Sequence, residues 1–423
     1  MKKELKIVMI YLNNAATTLF KPPEVIKAAT ISALSVGRSA GFDATAEKLS
    51  ALREKLLKLT NARDHFVVLT PGCTFALNQA ILGLAARLPP CRILVTQAAH
   101  NAVLRPVYAL AKRRFPCAIN AADEFGRVIP AARSATKTSN QKTGNNAAPK
   151  SLYEAADNGF SYGVVPTDEF GRVTPETLAP HLTPDVKIVV ISHMSNVTGG
   201  IDDIAAITKL LRSRGIYSIV DCAQSVGIMN VDLSNIDIAA FPFHKSLHAI
   251  SGIGAMIVRE GIEMEPLVYG GTGTLSADKD MPDFPPERYE AGTHNLPAIN
   301  AALAALDWLE KYEEEIRGNL DYIGKRLYNG LYDLYPKVKI LSCDNPGAIV
   351  TFVTTDTDFD SAVFAQSLYD HGFVVRGGLH CAPLMHERLG TSLSGAVRVS
   401  PGIDTTETQI DSFLLTVKRL ISP

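Results

Sequence analysis

Long apolar runs, one-sided charge and paired cysteines are all missing from this chain, and each absence removes a class of function. No stretch of the 423 residues approaches the roughly 20 consecutive apolar residues that span a bilayer, so no membrane partner is expected. Lys and Arg number 42 against 43 Asp and Glu, a formal charge of −1 with no basic block, which excludes the electrostatic footprint of a nucleic-acid binder. A small-molecule substrate fits better. Six cysteines (Cys73, Cys91, Cys117, Cys222, Cys343 and Cys381) are scattered without a framework spacing, which favours reduced thiols over disulfides and leaves one or two free to react. His380, Cys381 and His386 stand close together, yet no C-x-x-C pair accompanies them, so no metal is expected. The opening MKKELKIVMI is basic and then apolar, but its apolar run is too short for a signal peptide; a cytoplasmic location is expected.

What is present reads as an α/β protein. The chain is too long for one small core, which predicts two interlocking domains. From about residue 65 to 260, short apolar runs alternate with helical patterns, the signature of a mostly parallel sheet covered on both faces. Strands are predicted at 66–70, 92–96, 187–193, 217–221, 237–241 and 254–258, with a helix over DIAAITKLLRSRG closed by Gly215. After about residue 290 a long amphipathic helix leads into mixed strands and helices. The expected division is an N-terminal segment 1–36 that can pack on either domain and whose helix is opened by Pro22 and Pro23, a large domain 37–290, and a smaller α/β domain 291–423.

One internal repeat stands out, DEFGRVIP at 123–130 and DEFGRVTP at 168–175. Between the copies, residues 131–151 contain no Val, Ile, Leu, Met, Phe, Trp or Tyr, so burial there cannot offset ordering entropy. The region 115–160 is accordingly expected to be a mobile surface insertion. Deleting residues 131–150 should leave the melting temperature and ligand binding unchanged within experimental error; a drop of many degrees in a thermal melt would show the segment to be packed.

Several residues stand where an open α/β sheet binds ligands. Asp221 ends the apolar strand YSIV and Gln224 follows one helical turn on, which sets a carboxylate at the carboxyl edge of the sheet. Lys245 follows the strand DIAAF. The turn VVLTPGCTFALNQAI leads from a strand through Pro71 and Gly72 into a helix opening near Thr74, and the free N–H groups there suit a phosphate. His100, just beyond another strand, is placed to stack on an aromatic cofactor and shuttle protons. Each of these has an ordinary structural alternative when taken alone.

Taken in order, they resemble a known family. The strings YLNNAATT (11–18), PGCTFALN (71–78), AHNAVLRP (99–106), ISHMSNVTGGI (191–201), DCAQ (221–224), HKS (244–246), GGTGT (270–274), YEAGTHN (289–295), RGGLHCAPL (376–384) and RVSP (398–401) are similar to those of the class V aminotransferase-like enzymes, specifically the cysteine desulfurases and selenocysteine lyases. The resemblance implies the fold of the PLP-dependent transferases (fold type I) and pyridoxal 5'-phosphate (PLP) as cofactor. It makes Lys245 the cofactor-bearing lysine with His244 beside it, Asp221 the partner of the pyridine nitrogen, Gln224 the contact to the ring oxygen and His100 the stacking histidine. Gly72, Cys73 and Thr74 form part of the phosphate cup, Asn196 lies near cofactor and substrate, and Arg398 grips the substrate carboxylate, with Arg376 also at the substrate. Thr272 reaches the phosphate of a neighbouring subunit, which implies a homodimer. Cys381 matches the cysteine that forms a persulfide, its thiolate favoured by a cationic setting from Arg376 and His380. Cys381 and Arg398 stand 17 residues apart, as in the short-loop group that includes the SufS-type desulfurases.

The sequence departs from the family pattern at Ala99, Pro242, Phe243 and Thr405. Pro242 brings neither hydroxyl nor backbone donor to the expected phosphate cup, which predicts weakened phosphate affinity. The expected activity is removal of sulfur from L-cysteine, giving alanine and a persulfide for a sulfur-acceptor protein. L-selenocysteine lysis, transamination of a small amino acid, and a non-catalytic homologue serving in sulfur trafficking stay open.

Overall fold

The computed structural model describes residues 9–34, 42–112, 154–155 and 159–422. In chain order the strands are β1 (Ile10–Tyr11), β2 (His65–Thr70), β3 (Arg92–Thr96), β4 (Glu154–Ala155), β5 (Ser161–Val165), β6 (Val186–Ser192), β7 (Tyr217–Asp221), β8 (Ile238–Pro242), β9 (Gly254–Arg259), β10 (Val338–Ile340), β11 (Val350–Thr354), β12 (Phe373–Val374) and β13 (Val397–Val399). The helices are α1 (Pro23–Leu34), α2 (Phe42–Leu59), α3 (Cys73–Ala86), α4 (Asn101–Ala111), α5 (Pro175–Leu178), α6 (Ile204–Ser213), α7 (Leu296–Tyr332), α8 (Ser361–Asp370), α9 (Pro383–Leu389) and α10 (Glu407–Leu420).

The strands predicted from the sequence fall where the apolar runs are, and they join one sheet in the order β2-β9-β8-β7-β6-β3-β5-β4. Strands β5, β3, β6, β7 and β8 run parallel, while β9 is antiparallel to both β2 and β8. Residues 188–192 of β6 are all buried, and only Ser192 among them is polar, as expected of a strand covered on both faces. Helix α6 starts on Asp203, whose side chain accepts the Ala206 N–H, and the chain turns away through Gly215 at φ +64°.

Beyond the sheet, α7 runs for 37 residues, roughly 55 Å at 1.5 Å per residue. Ala298, Ala302 and Leu309 of its first half pack in one hydrophobic core with Val25 of α1 and Phe241 of β8. Ile323, Leu327 and Leu331 of its second half pack in another, with Phe352 of β11 and Phe413 of α10. The N-terminal helix therefore lies on the first of these cores. The chain before it reaches the other: β1 pairs in parallel with β12, Ile10 opposite Phe373.

Pro242 is the last residue of β8 and is paired with Gly254 of β9, while β7 pairs with β8 only as far as Ala240. A strand end is where a missing N–H is tolerated. Phe243 is 1% exposed and stacks at 5.9 Å on Phe241 in the core, so it is a packing residue and not a wall of the cleft described below. In the second copy of the repeat, Asp168 accepts the N–H groups of Phe170 and Arg172 and the Arg172 Nε, closing a turn around Gly171. The first copy and the low-hydrophobicity stretch lie outside the described residues.

Candidate active site

The carboxyl ends of the parallel strands open onto a cleft of about 520 Å³, within the usual size of a small-molecule site. Among the residues singled out from the sequence, its lining includes Gly72, Cys73, Thr74, His100, Asn196, Asp221, Gln224, His244, Lys245, Arg376 and Arg398, together with His380 and Pro242. Cys381 is next to the cleft and not among its lining residues. Thr272 is elsewhere: it is half-buried, on a loop beside a larger cavity of about 1130 Å³ that it shares with Arg53, Glu290 and His294.

Each group is held for a local reason. Asp221 ends β7, and its Oδ1 accepts the Ala223 N–H at 3.0 Å. The Cys73 thiol, the first residue of α3, turns to the same oxygen at 3.7 Å. Burial and the neighbouring Asp221 push this thiol well above its ordinary range, so it stays an S–H donor. The backbone N–H groups at this turn remain for an anion: those ahead of the Ala76 N–H, which bonds Gly72 O at 3.1 Å, have no intrahelical acceptor. A Cβ on Gly72 would meet nothing within 4 Å, so the turn faces open space, whereas a Cβ on Gly254 would lie 2.9 Å from Gly72 Cα. Glycine at 254 is what lets the turn approach the end of β8.

Lys245 has its amine lowered from the ordinary lysine range, first by burial, with Asp221 opposing. Its backbone is clamped by the N-terminal segment. Thr18 Oγ1 donates to His244 O at 3.0 Å and lies 3.2 Å from Lys245 O, and Lys21 Nζ donates to His244 O at 3.0 Å. His244 Nδ1 lies 3.0 Å from Thr17 Oγ1, and burial lowers this imidazole to about 4. His100 caps α4: its Nδ1 accepts the Ala102 N–H at 3.0 Å, which leaves the proton on Nε2. Burial lowers it as well. Gln224 Nε2 donates to Ala15 O at 3.0 Å, tying the cleft floor to the same N-terminal segment.

On the opposite wall, Arg398 is 1% exposed. Its Nη1 donates to Asn196 O at 2.9 Å and its Nη2 to Asn13 Oδ1 at 3.2 Å, while its Nε is buried without a hydrogen-bond partner. Burial, reinforced by Arg376, lowers this guanidinium to about 9. Among the described residues no carboxylate forms an ion pair with Arg398 or Arg376. A buried cation without a counter-charge is costly, which makes this wall a receptor for a small anion. Arg376 Nη2 lies 3.4 Å from Cys381 Sγ. The sequence-based expectation of a cationic His380 is overturned: the ring is 2% exposed and burial holds it well below the ordinary histidine range, so it is neutral and the charge beside Cys381 is that of the arginines.

The Cys381 loop is strained and pinned. His380 and Cys381 adopt left-handed φ of 49° and 58°, a conformation costing side-chain-bearing residues about 1–3 kcal/mol each. Asn196 Nδ2 donates to His380 O at 2.8 Å and the Asn101 N–H to Cys381 O at 2.7 Å. Reading the sequence missed the N-terminal clamp. YLNNAATT was visible as a motif, but no local pattern tells that Asn13, Thr17, Thr18 and Lys21 serve residues more than two hundred positions away.

The donor set fits pyridoxal phosphate: an amine of lowered basicity and a carboxylate in one cleft, free N–H groups at a helix start for the phosphate, and open space at Gly72. Among the described residues no group of three or more His, Cys, Asp or Glu is arranged to hold a metal, and no helix is long and apolar enough to cross a membrane.

Known proteins agree with this architecture. The chain is 27% identical to a probable cysteine desulfurase of Xylella fastidiosa, over 98% of this chain and 92% of that protein. It is also 27% identical to the cysteine desulfurase CsdA of Escherichia coli, over 97% and 94%. In fold it resembles the apo structure of a cysteine desulfurase from Thermococcus onnurineus, with a TM-score of 0.77 at 23% identity, covering 98% of this chain and 94% of that one. The crystal structure of CsdA gives 0.75 at 24% identity, covering 97% and 94%. The sequence model of the family described as aminotransferase class-V matches residues 10–128 and 138–413, and the chain belongs to that family.

Proposed function

We propose that this protein is a pyridoxal 5'-phosphate-dependent cysteine desulfurase that takes the sulfur of L-cysteine onto Cys381 and releases L-alanine. The observation that carries this reading is the arginine wall: Arg398 and Arg376 share a cleft with Lys245, lack carboxylate partners among the described residues, and bring a guanidinium 3.4 Å from the Cys381 thiol. An amino acid with a sulfur side chain answers both needs, its carboxylate for one arginine and its sulfur for the Cys381 sulfur beside the other. The names carried by the relatives support the same reading.

Lys245, Asp221, Gln224, His244, His100 and the Gly72–Thr74 turn are the residues that would hold the cofactor. When bound, it supplies an aromatic ring that withdraws electrons from the substrate Cα. Arg398, fixed from two sides by Asn196 O and Asn13, binds and orients the carboxylate. Lys245, its amine kept less basic by burial, takes the Cα proton. His100, with its proton on Nε2, offers a donor at the cleft. Cys381 Sγ, 3.4 Å from Arg376 Nη2, gives up its proton and forms the S–S bond as the substrate C–S bond breaks; the C–S electron pair and a proton go to the substrate β-carbon, and a persulfide stays on Cys381. A reducing cytoplasmic setting keeps that thiol free. A homodimer belongs to this reading, with the exposed Thr272 loop supplying a neighbouring site, as does a protein that accepts the sulfur.

Cofactor-loaded protein given L-cysteine should release alanine and, with a thiol reductant, an equal amount of sulfide. The same assay with L-selenocysteine measures the lyase reaction. Keto acid in place of alanine would identify a transaminase, and neither product would mean a binding protein.

A further inference from the structure

Beside the cleft, three buried polar side chains form a chain that the proposed reaction leaves unused. His380 Nε2 is 3.1 Å from Arg376 O, His380 Nδ1 is 3.2 Å from His386 Nε2, and His386 Nδ1 is 2.8 Å from Thr391 Oγ1. The three residues are 2%, 0% and 6% exposed. Their proton positions follow by elimination. A carbonyl oxygen only accepts, so the proton of His380 is on Nε2. A neutral imidazole has one N–H, so His380 Nδ1 accepts and His386 Nε2 donates. His386 Nδ1 is then an acceptor, and the Thr391 hydroxyl supplies its hydrogen. Burial lowers His386 to about 4 and His380 well below its ordinary value, so both rings are neutral near pH 7.

The chain of bonds has one direction and one end on the backbone of Arg376. Arg376 is also the residue whose guanidinium touches Cys381, and its N–H and C=O bridge to Arg398. We propose that His386 and Thr391 are positioning residues for Cys381: acting through His380, they fix the segment Arg376–Cys381 so that the guanidinium stays on the thiol. The proposal rests on Cys381 being the reactive thiol of the function above. Without the Thr391 hydroxyl, His386 Nδ1 becomes a buried acceptor with no donor. The ring can relieve this only by turning or shifting, which loosens the bond its Nε2 gives to His380 and with it the hold of His380 on Arg376 O. The other charged or titratable groups around Cys381 are Arg376 on its own loop, Arg398 on β13 and His100 at the start of α4; none of them is altered by changing Thr391.

The test is alkylation of Cys381 by iodoacetamide in the cofactor-loaded protein, followed by peptide mass, over a range of pH. Thr391→Val should slow alkylation about tenfold at pH 7, the loss of one charge-assisted contact. Thr391→Ser should behave as wild type. His386→Gln combined with Thr391→Val should recover most of the loss, because the amide donates to His380 Nδ1 without needing a hydroxyl. Turnover should fall with Thr391→Val while the KM for L-cysteine is unchanged. A folded Thr391→Val protein with a wild-type alkylation profile would overturn the proposal, since a merely structural role lowers the melting temperature and leaves that profile in place. Nitrogen-15 spectra of the wild-type histidines give a reading that needs no variant: both rings should be neutral with the proton on Nε2, and a proton on Nδ1 of either would refute the relay. Neither measurement depends on desulfuration, so failure of the relay is distinct from failure of the proposed function.

Discussion

Replacing Lys245 by alanine is expected to abolish covalent attachment of the cofactor and to lower turnover by roughly 10²–10⁴-fold, the usual worth of a positioned proton-transfer group. Lys245 is the only lysine among the described residues that lines the cleft. The nearest rival amine is Lys21, lowered to about 8 by burial, but its Nζ is committed to Thr18 Oγ1 at 2.6 Å and His244 O at 3.0 Å. It therefore holds the strand end and does not face the substrate. Borohydride reduction of the loaded wild-type protein, followed by peptide mapping, should place the label on the peptide containing Lys245. A label on Lys21, or an unchanged visible spectrum in the variant, would mean that the whole cleft has been assigned wrongly.

Cys381→Ser should keep the colour of the bound cofactor and lose alanine release by several orders of magnitude. The division of labour is the reason. The groups that act on Cα line the cleft, whereas Cys381 stands beside it, joined to the wall by its contact with Arg376. Removing its sulfur leaves the cofactor contacts untouched. A hydroxyl is far less acidic than a thiol and cannot attack a substrate sulfur near neutral pH. A transaminase would not notice the change. Alanine release by Cys381→Ser at the wild-type rate, measured by amino-acid analysis, would remove Cys381 from the reaction.

The sheet was legible because its strands carry their own signal. VKIVVIS and YSIVD are apolar enough to be buried on both faces, and each ends in a polar residue. Asp221 and Lys245 stood out by their places after the strands YSIV and DIAAF, but their roles came only with the family resemblance. Cys381 was legible only through the family resemblance, since nothing in GLHCAPL predicts two consecutive left-handed residues. The charge state of His380 was misread because burial is a property of the assembled loop. Of the two neighbouring departures from the family pattern, Pro242 lines the cleft and Phe243 packs in the core, a difference the sequence does not show. The hydrogen-bonded path from Thr391 to Arg376 depends on a helix, a turn and a loop meeting, which no periodicity encodes.

The N-terminal clamp also says when this enzyme becomes an enzyme. Residues 10–21 leave the ribosome well before the residues they bind, and those partners arrive far apart: His244 and Lys245 come earlier, Phe373 and Ser400 much later. Pairings so distant in sequence close late, because loop-closure entropy is spent before the contacts return anything. The parallel sheet can assemble on the nascent chain, but the lysine's clamp and the arginine wall share Asn13 to Lys21 and are completed only when the last strands have been made. A truncated product of interrupted translation would carry Lys245 in an unfinished site with no Arg398 and no Cys381. It would have no means of drawing sulfur from cysteine.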